Sequence, residues 1–144
     1  MKALLIALFA CTLCACSSGP TTDDRLDPMP LGQATRSIEE VVSYYAFSAK
    51  EMHVEFKRDG SADLRWQDQV HDKHNRMSWV PRKQTVRKSD SVSGISRDKH
   101  GFKVVLTGQG EESAFIAENE ARAQQLRRAL RSLIDHLAKA APTS

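Results

Sequence analysis

The stretch EMHVEFKRDGSADLRW, residues 51–66, is the clearest indication of the fold class, because its pattern is typical of two strands joined by a tight turn. Apolar and polar residues alternate on both sides of the turn. The apolar members are Met52, Val54, Phe56, Ala62, Leu64 and Trp66. A period of two is typical of strands that bury one face of a sheet. The segment therefore predicts an antiparallel β-hairpin.

The length of the hairpin loop follows from the need to match the two apolar faces. A two-residue loop of Asp59 and Gly60 would place Phe56 opposite Asp63, which is a mismatch. A three-residue loop, with Gly60 in the left-handed conformation, matches the faces. Its pairs are Phe56–Ala62, Val54–Leu64 and Met52–Trp66. Since register must bring apolar faces together, we predict the longer loop.

Further strands are predicted downstream of the hairpin. Met77 and Trp79 alternate with polar residues, but in an unbroken strand Val86 would lie on the opposite face from both. We therefore expect a bulge or a break near Pro81. Residues 92–97 form a weaker strand. Phe102, Val104 and Leu106 mark a strong strand, and residues 114–117 mark a last short one.

The C-terminal region predicts a helix. Its apolar residues recur at intervals of three or four, and they are Ala123, Leu126, Leu130, Leu133, Ile134 and Leu137. Asn119 is placed to cap the N-terminus of this helix. The stripe could dimerise as a coiled coil, but it spans fewer than three heptads. Because the sheet also needs a cover, we expect the helix to pack within the domain.

A short helix is also predicted before the hairpin. Ser37 and Glu40 have the spacing of a capping box, and apolar residues recur at helical spacing over residues 38–47. A strand is the alternative here, because the segment is rich in β-branched and aromatic residues. The predicted fold class is α+β. It is a strongly bent antiparallel sheet or partly open barrel of about seven short strands, capped by the C-terminal helix.

The second half of the chain is similar to pleckstrin-homology-like domains. The similarity lies in residues 91–95, in the strand 101–106 and in residues 113–137, and it is one of pattern over about sixty residues. It implies a bent antiparallel barrel capped by a C-terminal helix. The alternative is a generic α+β sheet with its helix on one face.

The N-terminus predicts export and lipidation. Lys2 precedes an apolar run, residues 3–15, that is too short to span a bilayer and is typical of a signal peptide. Its end, Leu13-Cys14-Ala15-Cys16, resembles the lipobox of bacterial lipoproteins, which implies cleavage before Cys16 and a lipid on its thiol. Residues 8–11 are a weaker lipobox, and an ordinary secretory peptide is the alternative. In that family a serine at position 17 implies sorting to the outer membrane.

The expected organisation follows from this start. Residues 1–15 are a signal peptide, residues 16–36 carry the lipidated Cys16 and a flexible linker, residues 37–140 form one globular domain, and residues 141–144 are a tail. The three cysteines all lie within residues 11–16, so the domain has no thiol for a disulfide, a metal or a nucleophile. We expect the domain to face the periplasm from a lipid anchor in the outer membrane.

Charge is distributed unevenly along the chain. The net charge is +3 overall, but residues 17–72 carry −5 and residues 73–103 carry +7. Lys83, Thr85 and Arg87 share the face opposite Val86, so Lys83 and Arg87 are the predicted binding patch. Such a patch suits anionic lipid, an envelope polymer or an acidic protein. The alternative is that these cations pair with acidic residues on neighbouring strands.

No enzyme or cofactor is predicted, because the sequence has no nucleophile elbow, glycine-rich phosphate loop, zinc-protease motif or paired cysteines. We therefore expect a non-enzymatic lipoprotein that binds or scaffolds another envelope component, and not nucleic acid. The alternative is a metal- or ligand-binding sensor built on His71 and His74, with Asp68 or His53 as a further ligand. A solvated polar loop is the simpler interpretation of those histidines.

Overall fold

The computed structural model describes residues 27–140 of the 144-residue chain. Two helices enclose eight strands in chain order. The elements are α1 (Leu31–Tyr45), β1 (Ala46–Phe47), β2 (Ala49–Phe56), β3 (Ala62–His71), β4 (Met77–Val86), β5 (Ser91–Val92), β6 (Ser96–Asp98), β7 (Gly101–Gly108), β8 (Glu111–Ala117) and α2 (Glu120–Ala140). The strands form two antiparallel sheets that do not close into a barrel. The predicted α+β class, with a helix at each end, is confirmed.

The first sheet has the strand order β2-β3-β4 and contains the predicted hairpin. Phe56 lies opposite Ala62 and Val54 lies opposite Leu64, as the face-matching argument predicts. Gly60 has a φ of 80°, and the Lys57 amide donates to the Ser61 carbonyl at 2.9 Å, which closes a three-residue loop. Register shifts farther along β2, between residues 50 and 53, so the predicted Met52–Trp66 pair falls at a bulge.

The second sheet has the strand order β1-β8-β7-β5, with β6 also paired to β7. The weak strand predicted over residues 92–97 is two separate strands, which raises the count to eight. Helix α2 packs against this sheet and begins where the sequence indicates. The Arg122 amide donates to Asn119 Oδ1 at 2.9 Å, so the predicted N-cap is confirmed.

Helix α1 begins seven residues earlier than the sequence indicates. Leu31 and Ala34 extend the apolar stripe by one more turn, and Pro30 precedes the first helical residue. Residues 31–36 are therefore helical, and the prediction that they belong to a flexible linker is wrong. Ser37 lies inside the helix with a buried side chain, so it is not an N-cap.

The residues just before α1 are also attached to the domain. Met29 is buried, and its amide donates to the Ser132 hydroxyl of α2 at 2.9 Å. Arg128, one turn earlier on α2, donates to the Asp27 carbonyl at 2.7 Å. The domain therefore includes residues 27–36, which precede the predicted boundary at residue 37, because α2 supplies partners that no local pattern reveals.

Strand β4 runs without the bulge or break predicted near Pro81. Its pairing with β3 is continuous, and Pro81 lies opposite Gln67. Proline is tolerated here because β4 is the last strand of its sheet. With no bulge, the buried Val86 fixes the parity of the whole strand, and Met77 and Trp79 point outward rather than into the core.

One core joins the helices to both sheets. Trp66 of the first sheet contacts Phe115 of the second edge to face, with ring centroids 5.2 Å apart. Helix α1 packs against β2 and α2, and α2 packs against β5, β7 and β8. The largest fully buried side chains are Phe115, Ile38, Met52, Leu64, Leu106, Leu126, Leu130, Leu133, Val41, Val42, Val86 and Val104. The face of the first sheet that points away from this core carries the candidate site.

Candidate functional site

The outer face of the first sheet is polar because its inner face is fixed by the core. Ala62, Leu64 and Trp66 point inward, so the residues between them point outward. On β4 the residues opposite these outward positions also face solvent, since paired residues share a face. The outward pairs are Asp63–Thr85, Arg65–Lys83 and Gln67–Pro81.

Three cations converge on one buried carboxylate at the centre of this face. The side chain of Asp63 is 1% exposed, and Lys57 Nζ and Lys83 Nζ each lie 3.2 Å from its oxygens. Arg65 Nη2 is 3.9 Å from Asp63 and 2.9 Å from Glu55. The three cations exceed the two carboxylates, so the cluster keeps a net positive charge.

The carboxylate form of Asp63 is favoured by its surroundings. Burial by itself would raise the pKa of Asp63, because it penalises the charged form. The Thr85 hydroxyl donates to Asp63 Oδ1 at 2.7 Å, and the ammonium groups of Lys83 and Lys57, each 3.2 Å away, favour the charged form. These interactions outweigh burial and hold the pKa below its usual value. Asp63 thus positions the cations while leaving their outer sides open to solvent.

The predicted patch residues Lys83 and Arg87 lie on this face, and both are exposed. With Lys57 and Arg65 they form what we call the basic face. Lys83 pairs with Asp63 on the neighbouring strand, so the charge of Lys83 is partly neutralised, as the alternative interpretation expects. The backbone amide of Arg87 donates to Asp90 at 2.9 Å, and its guanidinium lies beside the Gln109 side chain.

An open groove of about 500 Å³ crosses the basic face. Its lining residues are Glu51, His53, Arg65, Trp66, Gln67, Pro81, Arg82 and Lys83. Arg65 and Lys83 belong to the basic face, whereas Arg82 lies opposite the inward-facing Trp66 and 3.5 Å from Asp68. One lining residue, Glu51, is a carboxylate. A surface of this kind offers charge-assisted hydrogen bonds to carboxylate or phosphate groups.

Exposed apolar side chains lie at one end of the same face. Met77 is 54% exposed and Trp79 is 37% exposed. Lys50 Nζ lies 4.1 Å from the centre of the Trp79 ring, a cation–π contact. The sequence assigns both apolar residues to the core. Counting alternate residues back from Val86, without a bulge at Pro81, would have placed both side chains on the outer face.

His71 is the last residue of β3, His74 lies in the exposed turn that follows it, and this turn is organised by Asp72. The amides of His74 and Arg76 donate to Asp72 Oδ1 at 2.8 and 2.9 Å. The hydrogen bond from the Arg76 amide is the main reason that the pKa of Asp72 lies below its usual value. Over residues 27–140 there is no group of three or more ligand-type side chains able to hold a metal ion. Neither Asp68 nor His53 completes a set with His71.

The predicted lipidation site lies outside the described residues. Cys16, the predicted signal peptide and the N-terminal part of the predicted linker all precede Asp27. Within residues 27–140, no helix has both the length and the apolar character needed to cross a bilayer.

Comparison of the chain with protein-family models, with curated proteins and with solved structures gives no match. The resemblances to bacterial lipoproteins and to pleckstrin-homology-like domains therefore stay predictions.

Proposed function

We propose that the chain is a lipid-anchored envelope protein whose domain acts as a non-enzymatic binding or scaffold module for another envelope component. Cys16 is the anchor, the outer membrane is its location, and the domain faces the periplasm. The basic face is the docking surface for a negatively charged protein or envelope polymer.

The observation that carries the proposal is the convergence of Lys57, Arg65 and Lys83 on the buried Asp63. A buried carboxylate holds the three cations in place before a partner arrives, which lowers the entropy cost of binding them. The side chains of Arg65 and Lys83 are still 55% and 51% exposed, so a partner can reach them.

The anchor is tested by growing cells with a palmitate analogue and measuring its incorporation into the purified chain. We expect label in the wild type and in a Cys11→Ser/Cys14→Ser variant, and none in Cys16→Ser. Fractionation should place the labelled protein in the outer membrane. Label that persists in Cys16→Ser would contradict the assignment of the anchor.

The docking surface is tested by quantitative crosslinking in intact cells. A Lys83→Glu/Arg87→Glu variant should lose its main crosslinks by at least tenfold, because it replaces two outward cations with anions. The matched control is Lys99→Glu/Lys139→Glu, which makes the same charge change at exposed positions away from the basic face. Equal crosslinking in the two variants would remove the basic face from the proposal.

A further inference from the structure

Strand β4 leaves a long sheet edge open. It is the last strand of its sheet and has ten residues, whereas β1, β5 and β6 of the second sheet have two or three. The opposite edge, on β2, is covered by α1. There Ser43 and Glu39 accept hydrogen bonds from the amides of Met52 and Val54 at 2.9 and 3.0 Å. An open edge presents backbone donors and acceptors that another strand can use.

The open edge is strongly basic. Residues 73–89, which contain β4 and its flanks, include six basic residues and no acidic one. Arg76, Arg82 and Lys83 have carboxylate partners on the β3 side, yet their side chains are between 51% and 77% exposed. The charge is therefore available to a chain lying along the free side of β4.

The outward side chains of β4 change character along the strand. Met77 and Trp79 are apolar, whereas Lys83 and the following Arg87 are cationic. A groove of about 300 Å³ lies beside the cationic end, between Lys83, Thr85 and Arg87 on one side and Gly108, Gln109 and Glu111 on the other. In strand addition, the backbone gives affinity and alternate side chains give specificity. This edge suits acidic side chains at one end and apolar ones at the other.

A second copy of the chain does not suit the edge. Pairing β4 with itself would bring together two segments that each carry six basic residues and no acidic one, and their charges would repel. Pro81 also lies near the middle of the strand and offers no N–H to a partner. Both features are typical of edges protected against self-association. They leave residues 82–86 as a basic segment able to pair with a strand of opposite charge.

We infer that β4 binds an extended acidic segment of another protein as an added strand, with carboxylates of that segment at Lys83 and Arg87. The inference rests on the proposed function, since it names the partner class of the same docking face. It adds a requirement for backbone pairing, which attraction between charges alone does not have.

The test uses the full-length chain in a nonionic detergent and a fluorescein-labelled octapeptide of alternating valine and glutamate. Binding is measured by fluorescence anisotropy. We expect saturable binding that weakens at least tenfold in Lys83→Glu/Arg87→Glu and is unchanged in Lys99→Glu/Lys139→Glu. A valine–lysine octapeptide, which has the same strand propensity and the opposite charge, should not bind.

Backbone pairing is tested with two N-methylated versions of the octapeptide. One carries methyl groups on the valine amides and the other on the glutamate amides. Only alternate amides of an added strand face the edge, so one version should lose at least tenfold in affinity while the other keeps it. Equal affinities for both versions would show that the edge recognises the peptide by charge alone, without backbone pairing, and would overturn the inference.

Two further outcomes would also overturn it. Failure of the valine–glutamate peptide to bind, together with binding of anionic vesicles that Lys83→Glu/Arg87→Glu abolishes, would make the edge a membrane contact. Dimers crosslinked through β4 would make a second copy the occupant. The peptide assay does not depend on the lipid at Cys16, so failure of the anchor and failure of strand addition are distinguishable.

Discussion

Asp63 lies at the centre of the basic face and accepts a hydrogen bond from Thr85 while contacting Lys57 and Lys83. Sequence alternation places it between two buried apolar neighbours, so its outward direction could be predicted. Its near-complete burial could not, because that depends on how the side chains from three strands cover it. A lone aspartate in a strand pattern gives no sign of three cationic neighbours.

The pKa of Asp63 leads to a prediction about pH. Because this pKa is lower in the folded chain than in the unfolded one, the carboxylate stabilises the fold fully above about pH 3.9, and that stabilisation is lost as pH falls through the folded pKa. We expect Asp63→Asn to lower the free energy of unfolding at pH 7 by about 2 kcal/mol. Its stability should then fall less than that of the wild type between pH 5 and pH 2.

Urea unfolding at a series of pH values measures both effects. Asp135→Asn, which removes an exposed carboxylate on α2, is the matched control and should change the free energy of unfolding by less than about 0.5 kcal/mol. A wild-type pH profile in Asp63→Asn would mean that the carboxylate is not stabilised by its neighbours.

Strands and helices could be predicted from the apolar periodicity where the sequence also marks the residue at which the element begins or ends. The hairpin register and the start of α2 both follow from local rules, because apolar faces must match and Asn119 can satisfy a free amide. The parity of β4 and the start of α1 did not follow. Each depends on whether a proline, Pro81 in β4 or Pro30 before α1, interrupts the element. That in turn depends on which parts of the chain pack beside the proline.

Pairing within the second sheet predicts a sensitive glycine. Gly101 begins β7 with a φ of 158°, and a Cβ there would overlap the carbonyl oxygen of Ala117 on β8. Gly101→Ala should therefore force the two strands apart and lower the free energy of unfolding by about 2 kcal/mol. Urea unfolding followed by far-UV circular dichroism measures the change.

Gly94→Ala is the control, because nothing lies within 4 Å of the added carbon. It should leave stability within about 0.5 kcal/mol of the wild type. An equally neutral Gly101→Ala would contradict the close approach of Gly101 to the Ala117 carbonyl oxygen.

At the scale of the whole molecule, a single core connects all the layers. Helix α2 contributes more apolar residues to the core than any other element, and α1 covers the edge of β2. Trp66 contacts Phe115 across the two sheets. The basic face lies on the far side of the first sheet from this core, and the open edge of β4 lies at the margin of that sheet. Binding there does not require the core to rearrange.

This connection predicts cooperative unfolding. Leu133 is fully buried, so Leu133→Ala should lower the free energy of unfolding by about 3 kcal/mol through lost burial and a cavity. Both signals, tryptophan fluorescence from the first sheet and far-UV circular dichroism from the helices, should shift together to lower urea.

Tyr44→Ala provides the comparison, since Tyr44 is 78% exposed and should change stability by less than about 0.5 kcal/mol. Separate fluorescence and dichroism transitions in Leu133→Ala would show that the sheets and helices unfold as independent units.

Four features follow from the amino-acid sequence alone, namely the α+β class, the hairpin register, the amphipathic C-terminal helix and the outward placement of Lys83 and Arg87. Those features depend on alternation and spacing, which are local properties of the chain. Three features became evident only in the folded chain: Asp63 is buried among three cations, Met77 and Trp79 are exposed, and β4 has a free edge. These depend on which strand lies beside which, and pairing between distant segments is not encoded in any one of them.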